Sequence, residues 1–453
     1  MTESRNSLLN TRPGEWPLVA ALLLLLALNT LVLELSDVVA TAGFVAKIGA
    51  QGLPWLWLAD MAVTLAAASG YLVLVDRVPR VKLITGLMGA LALTYIGLAF
   101  AFQVSSTSWV SYLLLYIIAD QQFTFFPLAF WTLATDVYSL SEAKRLFPLI
   151  GAGYVIGSVA GNLVASLTSG AVATTVAPAG VSHSGLLILG AVIFLAGMAL
   201  VWLTFRNRPV RARQAREADA GMVHAVRESY EFLRDVPLFR FLALGIGLVG
   251  LALTIVEFHF LLSTEQSLGS AAQFQGFYGI YKATLILVTL AVQWLFTGRW
   301  LEKVPLKNAF FALPAALAVA SIWSLLSPGL AAAAGGRFFA RLVERAWDEP
   351  ARKSVQGLIP DERRGRISTV LDSYLYTVAT IVGSLVIGGL GLAANAGLVP
   401  PDYVPVAYLL VAILAALGAV RSAMYLYRHY DSSMLNWRLA RPRRKSVLDN
   451  LDF

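Results

Sequence analysis

Apolar residues run in stretches of roughly twenty, long enough to cross a hydrocarbon core as helices, and such stretches recur along nearly the whole chain. The first six fall at Trp16–Ala40, Pro54–Val75, Val81–Gln103, Ser108–Asp136, Phe147–Leu167 and Ser184–Phe205. The second six fall at Leu238–Leu262, Ala272–Phe296, Pro305–Leu326, Gly329–Trp347, Arg366–Leu392 and Val404–Tyr427. Inside a bilayer every backbone polar group must be paired within the protein, so these runs read as helices, and Gly and Pro within them are ordinary. The pattern predicts an all-α polytopic membrane protein of about twelve spans. It divides the chain into a six-helix bundle over 1–205, a linker over 206–237, a second six-helix bundle over 238–427 and a basic tail over 428–453. The polar start, Met1–Glu15, leads into an apolar run with no small-residue cleavage site, so the first span is expected to be retained.

Composition agrees: 58% of residues are hydrophobic and 14% charged, too few charges to cover a soluble surface, where roughly 25% is usual. Without Cys, disulfides, thiolate catalysis and Cys-ligated zinc are excluded. The net charge of +8 would suggest nucleic acid in a soluble protein, but the basic residues sit in alternate loops. One set holds Arg77, Arg80, Lys82, Lys144, Arg145, the Arg206–Arg216 cluster, Arg299, Lys303, Lys307, Arg352, Lys353, Arg363, Arg364 and the tail Arg438–Lys445; the other holds little beyond Lys47, Glu265 and Asp402. The positive-inside rule then places both termini and the linker in the cytoplasm, with the spans in a cell (inner) membrane. Contact with anionic lipid is a secondary role for these residues, and no nucleic-acid role is assigned. Within the linker, Met222–Arg234 reads as an amphipathic surface helix.

The halves repeat one another. Leu28–Leu35 resembles Leu251–Phe258, which aligns Glu34 with Glu257; Asp76-Arg77-Val78-Pro79 matches Glu302-Lys303-Val304-Pro305; and Glu142-Ala143-Lys144-Arg145 matches Glu362-Arg363-Arg364-Gly365. Parallel six-span repeats are the architecture of the major facilitator superfamily, whose bundles rock about a midplane site. The segment Gly70–Arg80 looks like that superfamily's gating loop, with Pro79 where Gly is usual. Asp76, Arg77 and Arg80, with Asp136, Glu142, Lys144 and Arg145 after the fourth span, are the candidate gate residues.

Within that superfamily the chain resembles the nucleotide transporter family, the ATP/ADP translocases of plastids and intracellular bacteria. The resemblance rests on Leu35-Ser36-Asp37-Val38-Val39 with Gly52-Leu53-Pro54-Trp55-Leu56, on Phe130–Asp136 leading into Glu142–Gly151, on Val249–Glu257, and on Trp347-Asp348-Glu349-Pro350 through Lys353 and Ile359-Pro360 to Arg364–Arg366. The fourth-loop stretch is its most specific part. The family pattern has Lys where Ser36 stands and a second Lys in the eleventh helix near Thr380, while acids at Asp120 and Glu257 keep the type. The resemblance implies a transporter of that lineage with an altered substrate.

Ionisable groups at bilayer depth are costly, so they should line a cavity or pair. Lys282, Arg337 and Arg341, with Asp120, Tyr278 and Tyr281, are the candidate substrate contacts; arginine forks favour phosphate or carboxylate. Glu34, Asp37 and Glu257 are candidates for carrying a proton or balancing charge. The competing structural reading has Lys282 and Glu257 neutralise one another, and treats Arg337, Arg341, Glu344, Arg345 and Asp348 as one ion-paired helix stripe with only Arg337 facing substrate. His259 is expected to be packed, Gly151–Gly161 to mediate close helix contact, and the four scattered His to form no metal site. No Gly-x-x-x-x-Gly-Lys-Ser/Thr loop occurs, so no cofactor or nucleotide hydrolysis is expected.

The leading expectation is a non-enzymatic secondary transporter, monomeric by analogy, of a small anionic metabolite such as a nucleotide or related phosphorylated compound. The alternatives are a proton-coupled exporter of amphipathic compounds or lipid, and a non-transporting receptor or complex module.

Overall fold

The computed structural model describes residues 12, 14–104, 108–170, 182–206, 231–232, 234–297, 303–356, 359, 367–368 and 370–440, with no side chains described at 69–77, 140 and 431–440. The regular elements within them are helical. The long ones are α1 (Trp16–Ile48), α2 (Leu53–Arg77), α3 (Arg80–Val104), α4 (Trp109–Val137), α5 (Leu140–Leu167), α6 (His183–Phe205), α7 (Pro237–Ser267), α8 (Ala271–Val292), α9 (Ala312–Leu326), α10 (Leu330–Val343), α11 (Leu375–Asn395) and α12 (Tyr403–Ala440). Ten helical stretches are long and apolar enough to cross a membrane. The other two of the expected twelve are α2, 25 residues long, and the charge-rich α10. Most of the linker, residues 207–230, lies outside the described residues, as do Glu302 and everything beyond 440.

Several boundaries differ from the hydropathy reading. Helix α1 continues past Ala40 and stops at Gly49, whose φ of 91° is a left-handed value that glycine adopts without penalty. Helix α5 begins before Phe147 because Ser139 and Glu142 form a capping box: Ser139 N–H donates to Glu142 Oε2 at 2.9 Å, and Glu142 N–H donates to Ser139 Oγ at 3.4 Å. Both groups are polar donors that a helix start leaves orphaned.

Helix α10 does not run straight. A π-helical turn, Glu344–Asp348, follows it, and a further α-helical segment, Glu349–Gln356, continues the chain. Widening a turn frees carbonyls, and here Gln293 Nε2 donates to Arg345 O at 2.9 Å and Thr297 Oγ1 donates to Ala346 O at 2.8 Å. Such turns concentrate at functional sites. Hydropathy has no means of showing one.

The chain divides into two compact units, one of Met1–Asp219 with Leu261–Leu290, the other of Ala220–Phe260 with Ala291–Phe453. In the first, α1 is the central element, packed on α4, α5 and α6. Its approach to α5 is close because a Cβ at Gly153, Gly157 or Gly161 would lie 2.2–2.4 Å from the carbonyl oxygens of Leu23, Ala27 or Leu31. These small residues serve helix packing, as expected. In the second unit α9 packs on α10 and α12, over a core that includes Leu238, Phe239, Leu242, Phe310, Val355 and Leu371.

The Gly157 contact is with main chain, which has nowhere to go. Gly157→Leu should therefore overpack the α1–α5 seam and cost about 1–3 kcal/mol or more, read as a lower Tm of the detergent-purified protein. An unchanged Tm would contradict the packing described.

Candidate functional site

In the first unit the glycine-lined seam brings α5 against the acidic stretch of α1. Glu34 and Asp37 lie three residues apart, on one helix face. Lys282 reaches them from α8, and its Nζ lies 2.6 Å from Glu34 Oε2 and 2.6 Å from Asp37 Oδ2. Tyr278, one turn earlier, offers its ring face 5.6 Å from the same ammonium, a cation–π contact. Tyr281 is buried, with its ring against Phe277. On the α5 side Asn162 Nδ2 donates to Glu34 Oε2 at 3.0 Å and to Ser158 O at 2.8 Å. Two carboxylates thus share one ammonium, leaving a net charge of −1 on the trio.

A second acidic group lies in the same unit. Asp60 of α2 and Asp120 of α4 are neighbours there, and Gln121 Nε2 donates to Asp60 Oδ1 at 3.3 Å and to Thr64 Oγ1 at 2.8 Å. Behind it, Tyr95 OH bonds Ser36 Oγ at 2.8 Å and Gln122 Oε1 at 3.0 Å, while Gln122 Nε2 donates to Asn29 O at 2.9 Å. Ser36 is therefore buried toward α3.

In the second unit Glu257 of α7 is held by two arginines of α10. Arg337 donates to it twice, Nε to Oε2 at 2.7 Å and Nη2 to Oε1 at 2.7 Å. Arg341 adds Nη2 to Oε2 at 3.2 Å and turns Nη1 to Glu344 at 2.9 Å and to Tyr376 OH at 3.2 Å. The Arg337 guanidinium also lies 4.5 Å from the centre of the Phe260 ring. In the competing structural reading Lys282 and Glu257 neutralise one another; in the structure Lys282 pairs with Glu34 and Asp37, and Glu257 with Arg337 and Arg341. Sequence alone does not show which helices are neighbours. His259 is packed as expected, with Nδ1 2.9 Å from Tyr408 OH. Nearer the end of the same stripe Arg352 pairs with Asp348 at 2.7 Å, and Lys353 and Gln356 both bond Asp372. A cavity beside this stripe is lined by polar Glu344, Asp348, Arg352 and Tyr376 and by apolar residues that include Phe241, Ile246, Leu313 and Leu426.

Of the candidate gate residues, Arg80 and Asp136 approach to 3.6 Å. Arg145 forms a two-pronged bond to Glu15 at 2.6 and 2.8 Å, and the guanidinium lowers the Glu15 carboxyl to about 2. Glu142 serves as the α5 cap, and Lys144 is exposed. The side chains of Asp76 and Arg77 lie outside the described residues.

Neither Asp60 nor Asn162 is among the candidates that the sequence offers. Asp60 gains meaning only from Asp120, on another helix. Asn162 carries a weak signal, a lone amide directly after the Gly153–Gly157–Gly161 series.

The family model described as "TLC ATP/ADP transporter" matches residues 88–328, just over half of the chain. No curated protein sequence matches. Among solved structures, the nucleoside transporter NupG is similar with a TM-score of 0.60 at 14% identity, over 91% of this chain and 99% of that one. A bacterial homologue of the iron transporter ferroportin, in an inward-facing state, gives 0.61 at 15% identity, over 89% and 98%. A bacterial homologue of the human lysosomal transporter Spinster gives 0.53 at 16% identity, over 94% and 98%. At such identities the likeness is one of fold, an all-α polytopic fold of major-facilitator type.

Proposed function

Because the chain belongs to the TLC ATP/ADP transporter family, we propose that it is a proton-coupled secondary transporter of a small anionic metabolite of the nucleotide or phosphorylated-compound class. That it is a multi-pass membrane transporter follows from the family and the helices; substrate and coupling are the proposal. The observation that carries it is the fork of Arg337 on Glu257. A guanidinium bonded through Nε and Nη2 to both oxygens of a carboxylate presents the geometry that binds a phosphate or substrate carboxylate. Glu257 then stands where the substrate anion binds, and Arg341 widens the same cationic surface. An anion that takes Arg337 displaces Glu257, which must find a proton or remain a bare charge at bilayer depth.

The first-unit trio works on the same principle, with Lys282 as the cation and Glu34 and Asp37 as the carboxylates. Lys282 supplies to Asp37 a positive partner that the family pattern places at position 36, and Ser36 is free to bond Tyr95. The basic loops orient both termini to the cytoplasm of an inner membrane, with a single chain as the working unit.

A specific observation also favours a second reading, a proton-coupled exporter of cationic or amphipathic compounds: among the described residues, the four acids Glu34, Asp37, Asp60 and Asp120 share Lys282, which bonds two of them. Thermal-shift screening of the purified protein against ATP, ADP, sugar phosphates and dicarboxylates separates the two. Stabilisation by an anion that is lost in Arg337→Ala or Lys282→Ala supports the anion transporter. No stabilisation by any of them, with proton-dependent dye efflux lost in Glu257→Gln, would replace it by the exporter.

A further inference from the structure

Glu34 and Asp37 bond the same ammonium, yet their surroundings differ. The Asp37 side chain is 27% exposed, whereas that of Glu34 is 9% exposed and lies against α5. There Asn162, fully buried, gives its amide N–H2 to Glu34 and to the Ser158 carbonyl, while its Oδ1 has no hydrogen-bond partner among the described residues. Ser158 Oγ, four residues earlier and equally buried, has none there either. A buried acceptor left unmet is unfavourable, and an explanation is owed for it in a native interior.

Side-chain amides are two-faced. The N–H2 edge suits an ionised carboxylate, which only accepts, and the oxygen edge suits a protonated carboxyl, which must donate. Half a turn about the Asn162 side-chain amide exchanges them. Among the described residues, Asp37 has no such neighbour on α5.

We propose that Asn162 is a positioning residue that makes Glu34, not Asp37, the member of the first-unit trio that takes and releases a proton. In the step, a proton from water binds Glu34 Oε2 and the Lys282–Glu34 ion pair is given up. Lys282 stays on Asp37, the Asn162 amide turns and gives up its N–H bonds to Glu34 and to the Ser158 carbonyl, its oxygen accepts the new O–H, and the trio passes from a charge of −1 to neutral. Among the described residues, the groups facing Glu34 include Lys282 and Tyr278 from α8, Asp37 on its own helix, and Asn162 with Ser158 from α5, while Asp60, Asp120 and Tyr116 are the charged and titratable groups near Asp37 from α2 and α4. The inference rests on the proton-coupled reading above but needs no substrate for its test.

Infrared difference spectra of the full-length purified protein, titrated with acid in the absence of any solute, report protonated carboxyl groups directly. A titrating carboxyl band should vanish in Glu34→Gln and survive in Asp37→Asn. In Asn162→Leu it should move to higher frequency, with a midpoint displaced by more than one pH unit. Should that variant fail to fold, wild type labelled with carbon-13 asparagine provides the same test: one amide band must shift with the titration and stay still in Glu34→Gln. If Glu34→Gln removes no titrating band, or the band it removes also disappears in Asp37→Asn, the proposal is overturned, as it is by Asn162→Leu or labelled asparagine bands indifferent to the titration. Failure of nucleotides to bind, with these spectra as expected, would remove the anion reading alone.

Discussion

Glu257→Gln should destabilise the protein by about 3–5 kcal/mol, the range for breaking a buried ion pair from one side. The reason is geometric. Arg337 is 6% exposed and directs two of its bonds to Glu257, and Arg341 directs a third. A glutamine keeps the shape but supplies no charge and only one acceptor oxygen, so a guanidinium is stranded at bilayer depth. Arg337→Gln should destabilise by a similar route, since Glu257 would keep only Arg341. The double variant Glu257→Gln/Arg337→Gln should then be less destabilised than the sum of the two singles, because contacting residues couple. Thermal unfolding of the purified variants measures this cycle, and strict additivity would show that the pair is not the electrostatic unit described.

Lys282→Met should have the next largest effect. It leaves Glu34 and Asp37, three residues apart, with neither a cation nor room to separate, so like charges repel where water is scarce. A loss of about 2–4 kcal/mol is expected, smaller than for Glu257 because Asp37 is partly exposed. Neutralising the carboxylates as well, in Lys282→Met/Glu34→Gln/Asp37→Asn, should restore most of the stability while transport stays absent. If the triple variant is as unstable as the single one, Lys282 acts through packing and not through charge.

Much of this architecture was legible in the sequence. Twenty-residue apolar runs separated by basic and non-basic loops carry a strong signal because the bilayer leaves helices as the alternative to closed barrels. The intramembrane charges were equally visible, since each is expensive where it sits. What stayed hidden was their pairing. Glu34 and Glu257 align in the repeat, yet one takes a lysine from α8 and the other two arginines from α10. Repeat symmetry constrains the helix positions, and the identity of the residue opposite is free to diverge. The π turn at Glu344–Asp348 was illegible for a related reason: it depends on Gln293 and Thr297 capping freed carbonyls from a distant part of the chain. Glu142 shows the opposite lesson, since its Ser-x-x-Glu spacing spells a helix cap directly.

The central claim is that buried cations are held in reserve by carboxylates which a substrate anion must displace, and that displacement draws in protons. Proton uptake on adding ATP, or inorganic pyrophosphate, to the purified protein in weak buffer with a pH indicator tests it most directly. The account predicts uptake that saturates with binding and falls in Glu257→Gln, in which no carboxylate remains at Arg337 to be released and only the proton taken by Glu34 is left. Saturable binding of either anion with no proton taken up, in the wild-type protein across neutral and mildly acidic pH, would contradict it.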